Sequence, residues 1–379
     1  MGEAADTNRA IWLTTYSSPP EVTTLPVPQP GPGSAVIRVL STWVPPYTKF
    51  IHDGSLKVFN LHLPLVPNPS NIGYIHAVGP DAVKLKAGDL VYYNPWIKAR
   101  DDPDINIIQG HHGGEGPGGA KLMQGEWRDG SMQQYQKVPL EKVFKLNEPR
   151  LCGVLGYKAA ELQEFALQTM VVGALCEAAR LQAGETIVIG PATGTFGPAS
   201  VELALLLGAN VIALGRSESK LEELRQQLGD PNRLQVVVMT GDEEVDSDAI
   251  LAATPNGQGA EVFNDWTSGG LKTPPFFTAA FKTLKSEGRI ILSGAPSGNV
   301  TFPYAYAMHK NLRIIGKIMV EREGIESTIR MVESGFLKMG RMAGAKTAFF
   351  PLDQHHEAVE YALKHGGYKN YTFVTPNDQ

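Results

Sequence analysis

The chain has 379 residues, enough for two domains with substantial cores at roughly 100 to 200 residues each. Its 34 Lys and Arg against 39 Asp and Glu give a net charge of −5 with no basic run, which argues against nucleic acid or an anionic membrane as partner. Two cysteines, Cys152 and Cys176, are too few for a disulfide framework or a tetracysteine metal site; with a polar N-terminal stretch and no apolar run of membrane length, a soluble cytoplasmic protein is expected.

From Ala10 to about Lys145 the signals are those of a β-rich domain. Short β-branched runs such as Ala35-Val-Ile-Arg-Val-Leu and Gly73-Tyr-Ile-His-Ala-Val-Gly are punctuated by Pro and Gly clusters. Within this region, Ile97 to Gly130 reads as a glycine-rich loop. It carries His111, His112 and Glu115, metal-capable residues on a segment with no rigid element to preorganise them, so a flexible surface loop is expected there.

From about Tyr157 to Gly294 the pattern changes to alternating strands and helices, with strands marked by Ile187, Val211, Val236 to Met239, Glu261 to Asn264 and Arg289 to Leu292. That alternation predicts an α/β, doubly wound parallel sheet. Its first unit is Thr186-Ile-Val-Ile-Gly-Pro-Ala-Thr-Gly-Thr-Phe-Gly, a buried strand, a glycine turn and a helix start in succession. Gly190, Gly194 and Gly197 let the backbone turn sharply. The helix that follows brings unpaired N–H groups and the positive end of its dipole to Thr193, Gly194, Thr195 and Phe196, which suits a pyrophosphate.

The second strand, Asn210 to Leu214, ends in Gly215-Arg216-Ser217, at the place where a dinucleotide fold reads the adenosine ribose. An NAD site would show Asp or Glu there, whereas Arg and Ser suit a 2′-phosphate. Lys220, one turn into the next helix, adds a second positive charge. NADPH is therefore the expected cofactor. The last segment, from about Gly316, holds two amphipathic helices, Ile325 to Glu333 and His355 to Lys364, before a closing strand Tyr371 to Val374.

Taken in order, these segments resemble the medium-chain dehydrogenase/reductase superfamily over nearly the whole chain. The stretch from Ala77 to Val91, Gly130-Ser-Met-Gln-Gln-Tyr, Leu181-Gln-Ala-Gly-Glu-Thr-Ile-Val-Ile and Gly288-Arg-Ile-Ile-Leu-Ser-Gly carry the likeness. The resemblance implies a GroES-like catalytic domain over 1–155 and 316–379, with a Rossmann domain over 156–315 inserted in it. It also implies that Ser293 and Gly294 end a strand beside the nicotinamide, and that two copies pair through a strand near Tyr304.

The departures are equally informative. Where zinc-dependent members carry Cys and Gly-His-Glu, this chain has Trp43-Val-Pro-Pro-Tyr-Thr and Asn68-Pro-Ser-Asn; Pro69 stands at the His ligand, Ser70 at the Glu after it, Pro45 or a neighbour at the first Cys, and the third ligand position falls near Ala166. Proline and alanine side chains bind no metal, so the resemblance is to a zinc-independent member with no metal site.

Without a Lewis acid, a hydride is best placed on a carbon whose charge is stabilised by hydrogen bonds or by proton delivery. Tyr47 falls where zinc-dependent relatives keep a Ser or Thr proton relay, and His52 is the second candidate. The expected activity is NADPH-dependent reduction of the C=C bond of an α,β-unsaturated carbonyl or of a quinone. A zinc-free carbonyl or alcohol oxidoreductase and a redox-inactive NADPH-binding protein are the alternatives. Trp43, Phe50, Phe59, Trp96 and Tyr304 lean the expected small-molecule substrate toward the apolar or aromatic.

Overall fold

In the computed structural model, which describes residues 7–56 and 58–377, the chain divides into two compact units. One comprises Met1–Ala166 and Ile329–Gln379, the other Leu167–Thr328.

Runs of consecutive apolar, β-branched residues cannot alternate faces between water and core, so they form strands covered on both sides. The unit Leu167–Thr328 contains six strands, of which β1, β2 and β4 are of this buried kind: β1 (Thr186–Gly190), β2 (Asn210–Gly215), β3 (Leu234–Val238), β4 (Ala260–Asp265), β5 (Leu284–Leu292) and β6 (Arg313–Gly316). All pair in parallel, in the spatial order β3-β2-β1-β4-β5-β6. This is the dinucleotide-binding order, in which the winding direction reverses between β1 and β4 and leaves a crevice at the carboxyl ends of those strands.

Helices Gly197–Leu206, Glu218–Leu228, Glu243–Ala253 and Phe277–Lys282 lie in the connections. One core is formed by Val188, Ile212, Leu214, Phe263, Phe277, Phe281 and Ile290. Five strands match the predicted ones; β6 is additional, a short edge strand that pairs only with β5 among the described residues. Tyr304 does not sit on a strand: it opens the helix Tyr304–His309, and the strand nearest it in sequence is β6.

The other unit is built on seven strands in which Ser34–Trp43 is central, pairing antiparallel with Asn71–Val78, Tyr135–Pro139 and Asn370–Thr375. Asn71–Val78 continues the sheet to Leu90–Tyr93 and Val143–Lys145. The C-terminal return supplies Lys346–Pro351 and Asn370–Thr375, a parallel pair joined by helix His355–His365. This β-rich fold split by an inserted parallel sheet is the predicted architecture.

The division differs from the expected one at both ends. Residues after 155 stay with the β-rich unit because Ser41 Oγ donates to Ala160 O and Gln163 bonds Ser70. Residues after 316 stay with the parallel sheet because Lys317 N–H donates to Leu292 O and Glu321 N–H to Glu177.

The Ile97–Gly130 segment corrects the expectation of a flexible surface loop. Trp96–Lys98 pairs antiparallel with Asn106–Ile108, and Gly116–Gln124 is helical. Its glycines serve close packing: a Cβ on Gly113 would lie 2.2 Å from Asn60 O, and one on Gly114 2.2 Å from Asn106 O. Among the described residues no helix is long and apolar enough to cross a membrane.

Candidate functional site

In the parallel-sheet unit, the site grows from the turn after β1. Three consecutive N–H groups there, those of Thr193, Gly194 and Thr195, donate to no group among the described residues. The helix Gly197–Leu206 starts directly behind them, adding orphan N–H groups and the positive end of its dipole. A Cβ on Gly197 would come 2.0 Å from Pro191 O, so only glycine lets the helix start against the turn; a Cβ on Gly194 would meet nothing within 4 Å. Gly194 thus faces free space, with the donors a pyrophosphate needs.

The side chain of Phe196 turns the other way and stacks on Trp266, with ring centroids 5.1 Å apart at an interplanar angle of 19°.

At the end of β2, Arg216 and Lys220 are exposed and make no ion pair among the described residues, and no acid occupies the ribose-reading position. Ser217 has a second duty. Its Oγ caps the helix Glu218–Leu228 by accepting from Lys220 N–H at 3.4 Å, which holds Arg216 and Lys220 at the two sides of that helix start. Gly215 packs its Cα against Leu221, where a Cβ would lie at 3.2 Å.

Asn264, Asp265, Ser293 and Gly294 meet at the ends of β4 and β5. Asn264 Nδ2 donates to Ser293 Oγ at 3.3 Å, and Ser293 N–H to Asp265 O at 3.0 Å. Asp265 is 3% exposed; burial pushes its carboxyl up to about 6, and the Thr267 hydroxyl and N–H only partly offset this. A Cβ on Gly294 would lie 2.6 Å from Thr267 N, so this glycine is required where the two connections press together. Asn264, Asp265 and Trp266 went unassigned in sequence; their signal was their place at the carboxyl end of the fourth strand.

In the β-rich unit, Tyr47 is the N-terminal boundary residue of the short helix Thr48–His52, held by Thr48 N–H and Oγ1 donating to Pro45 O at 3.0 and 2.8 Å. Its ring packs parallel to Phe59, centroids 6.3 Å apart at 11°, and Phe59 in turn lies 4.6 Å from His111. Burial raises the Tyr47 phenol well above its ordinary value, so it is a neutral donor at neutral pH. No hydrogen bond to its hydroxyl exists among the described residues.

At the positions where the resemblance places metal ligands, neutral groups bond one another. Gln163 Nε2 donates to Ser70 Oγ at 2.9 Å and to Ser70 O at 3.1 Å, both side chains buried, and Asn68 Nδ2 donates to Trp43 O at 2.9 Å. The side chain that reaches Ser70 is Gln163, three residues before Ala166, near which the resemblance places the third ligand position. No group of three or more His, Cys, Asp or Glu that could hold a metal ion occurs among the described residues.

His52 is 8% exposed, at the end of the Tyr47 helix, and is pushed down to about 4 by burial and by neighbouring His355, against the Asn68 hydrogen bond and Asp53. His111 is pushed down to about 3, again chiefly by burial and then by His112 and His52. Both are neutral in the folded protein at neutral pH, whereas the unfolded chain takes up protons below about 6.5. Stability contributed by these neutral rings is complete above about pH 6.5 and is lost as pH falls toward their folded values. For His52 the loss between about pH 7 and 5 is about 2 kcal/mol. Unfolding free energies from denaturant titrations at the two pH values should differ by that amount more in the native protein than in His52→Gln; equal pH dependence in both proteins would refute it.

Two family models match the chain: "Alcohol dehydrogenase GroES-like domain" over residues 31–148 and "Zinc-binding dehydrogenase" over residues 196–334. An alcohol dehydrogenase of Rhizobium meliloti is 23% identical over 333 residues, 84% of this chain and 86% of that protein. An acryloyl-coenzyme A reductase of Sulfurisphaera tokodaii is 22% identical over 318 residues, 83% of this chain and 85% of that protein. A structure described as that of a zinc-binding dehydrogenase from Sinorhizobium meliloti 1021 bound to NADP superposes with a TM-score of 0.75 at 17% identity, covering 98% of this chain and 99% of that one. The GroES-like match lies in the β-rich unit and the dehydrogenase match takes in most of the parallel sheet, each where the corresponding fold is seen. The chain is therefore an oxidoreductase of the medium-chain dehydrogenase/reductase superfamily, a family that binds a nicotinamide cofactor.

Proposed function

We propose that this protein is an NADPH-dependent reductase, independent of zinc, that reduces the C=C bond of an α,β-unsaturated carbonyl compound. The observation that carries the reading is the bonding of Ser70 to Gln163 next to Pro69: an amide and a hydroxyl satisfy each other in the segment where the zinc-dependent members carry imidazole and carboxylate. The free donors of Thr193, Gly194 and Thr195 and the open face of Gly194 fit a dinucleotide pyrophosphate, and Arg216 with Lys220 fits a 2′-phosphate.

When bound, the nicotinamide supplies a hydride. The chain's own residues then have two tasks. Backbone donors around Gly194 and the charges of Arg216 and Lys220 anchor the cofactor. Tyr47, un-ionised and with an uncommitted hydroxyl, would donate a hydrogen bond to the carbonyl oxygen as negative charge collects there, and water would supply the proton that the α-carbon takes up. The name acryloyl-coenzyme A reductase denotes chemistry of this class on an unsaturated thioester, while the relative named alcohol dehydrogenase supports carbonyl reduction as the second reading.

Isotope transfer separates the two. With NADPH deuterated at its transferable position, an enone and an enoyl thioester should take up label at the β-carbon, at a rate unchanged by a strong zinc chelator. Label at the carbinol carbon would favour carbonyl reduction. Loss of activity on chelation, restored by zinc, would overturn metal independence and redirect attention to His111, His112 and Glu115.

A further inference from the structure

We infer that Trp266 and Phe196 form an aromatic clamp that sets the pyrophosphate turn in its binding shape before any cofactor arrives, making Trp266 a positioning residue for the dinucleotide. The inference rests on the cofactor reading above. Its basis is a closed circuit of contacts within one sheet edge. Trp266 follows directly on β4, and its N–H donates to Gly190 O, the last residue of β1, at 2.8 Å. Its indole Nε1–H donates to Ser200 Oγ at 2.7 Å in a buried bond. Ser200, one turn into the helix, donates its own N–H to Phe196 O at 3.0 Å. Phe196 closes the circuit by stacking on the indole at 5.1 Å and 19°.

The turn from Pro191 to Phe196 is thereby fixed at both ends from one residue, its start by the Trp266 backbone N–H and its end by the Trp266 side chain. Its start is tied through Gly190, and its end through the stacked ring and the Ser200 hydroxyl. Between them, Thr193, Gly194 and Thr195 keep their N–H groups unspent. A short segment of this kind, with glycine at its centre and no internal bond from those three donors, would otherwise sample many conformations, and ordering it would be charged against binding. The clamp removes that cost in advance. Arg216 and Lys220, which follow the end of β2, are not part of this circuit, so the clamp should act equally on cofactors with and without the 2′-phosphate.

That equality separates the clamp from phosphate recognition. Phe196→Leu and Trp266→Leu each remove the stack, and the affinities for NADPH and NADH, measured by calorimetry, should both fall about tenfold. Phe196→Tyr and Trp266→Phe keep two stacked rings and should recover to within about threefold of the native affinity. In the free protein, hydrogen exchange at the bonded amides that flank the turn, Ala192 N–H on Leu214 O and Ser200 N–H on Phe196 O, should be faster in the two leucine variants and native-like in the aromatic ones.

A merely structural role would lower thermal stability without this rescue pattern or this equality. Unchanged exchange in the leucine variants overturns the clamp, whether or not cofactor binds. Faster exchange with unchanged affinities overturns its role in binding. Native protein that binds neither cofactor overturns the cofactor reading itself, and the clamp with it. A loss confined to NADPH would reassign the effect to the phosphate site.

Discussion

Tyr47→Phe should lower kcat about 100-fold or more while leaving NADPH binding unchanged, because the phenol is assigned to charge that appears only in the transition state. The substitution is a clean one. Phenylalanine keeps the ring that packs on Phe59 and against Ile51 and Leu61 in the small cluster beneath the helix Thr48–His52, and the hydroxyl it removes bonds to nothing among the described residues. No buried partner is left unsatisfied, so stability should be little affected. Burial keeps the phenol protonated, and its contribution should therefore persist from neutral to moderately alkaline pH. Full activity in Tyr47→Phe removes the residue from the mechanism; a loss of only a few-fold means that other donors share the developing oxyanion.

Arg216→Ala should weaken NADPH roughly ten- to a hundredfold and leave NADH nearly untouched, the cost of one charge-assisted contact to a phosphate being about 1.5 to 3 kcal/mol. Arg216 is exposed and without an ion pair among the described residues, so its removal breaks no existing contact. Lys220→Ala should show a smaller loss of the same sign. Both effects should shrink as salt rises, since an exposed charge on a phosphate is screened within about 10 Å at 0.1 M. Titrations of the native protein that give equal affinities for NADPH and NADH would refute the assignment outright.

What the sequence made legible is whatever depends on neighbours along the chain. A strand buried on both faces, Thr186–Gly190, must be apolar throughout, and a helix such as Glu218–Leu228 needs only Leu221 and Leu224 inward, so the change of period marked the parallel sheet directly. The glycine turn and the position of Arg216 followed, because both are fixed by residue spacing from strands already recognised. The edge strand Arg313–Gly316 escaped for the converse reason: four mostly exposed residues carry too little apolar signal to stand out.

The rest was decided by contacts between residues far apart in sequence. Trp266 and Ser200 are separated by 66 positions, and only the order of β1 and β4 in the sheet makes them neighbours. Gln163 and Ser70 lie 93 apart, so the sequence showed a serine after Pro69 but not the amide that bonds it. The glycines around His111 looked like a mobile loop, since glycine without context means freedom. Packed against Asn60 and Asn106 they mean close approach instead. Burial likewise turned His52 and His111 from ordinary titrating side chains into rings held neutral. Periodicity and spacing thus determined the two folds and the cofactor turn, whereas pairing, burial and the shift of a proton equilibrium arise only when the chain closes on itself, because each depends on which distant groups displace water from a residue.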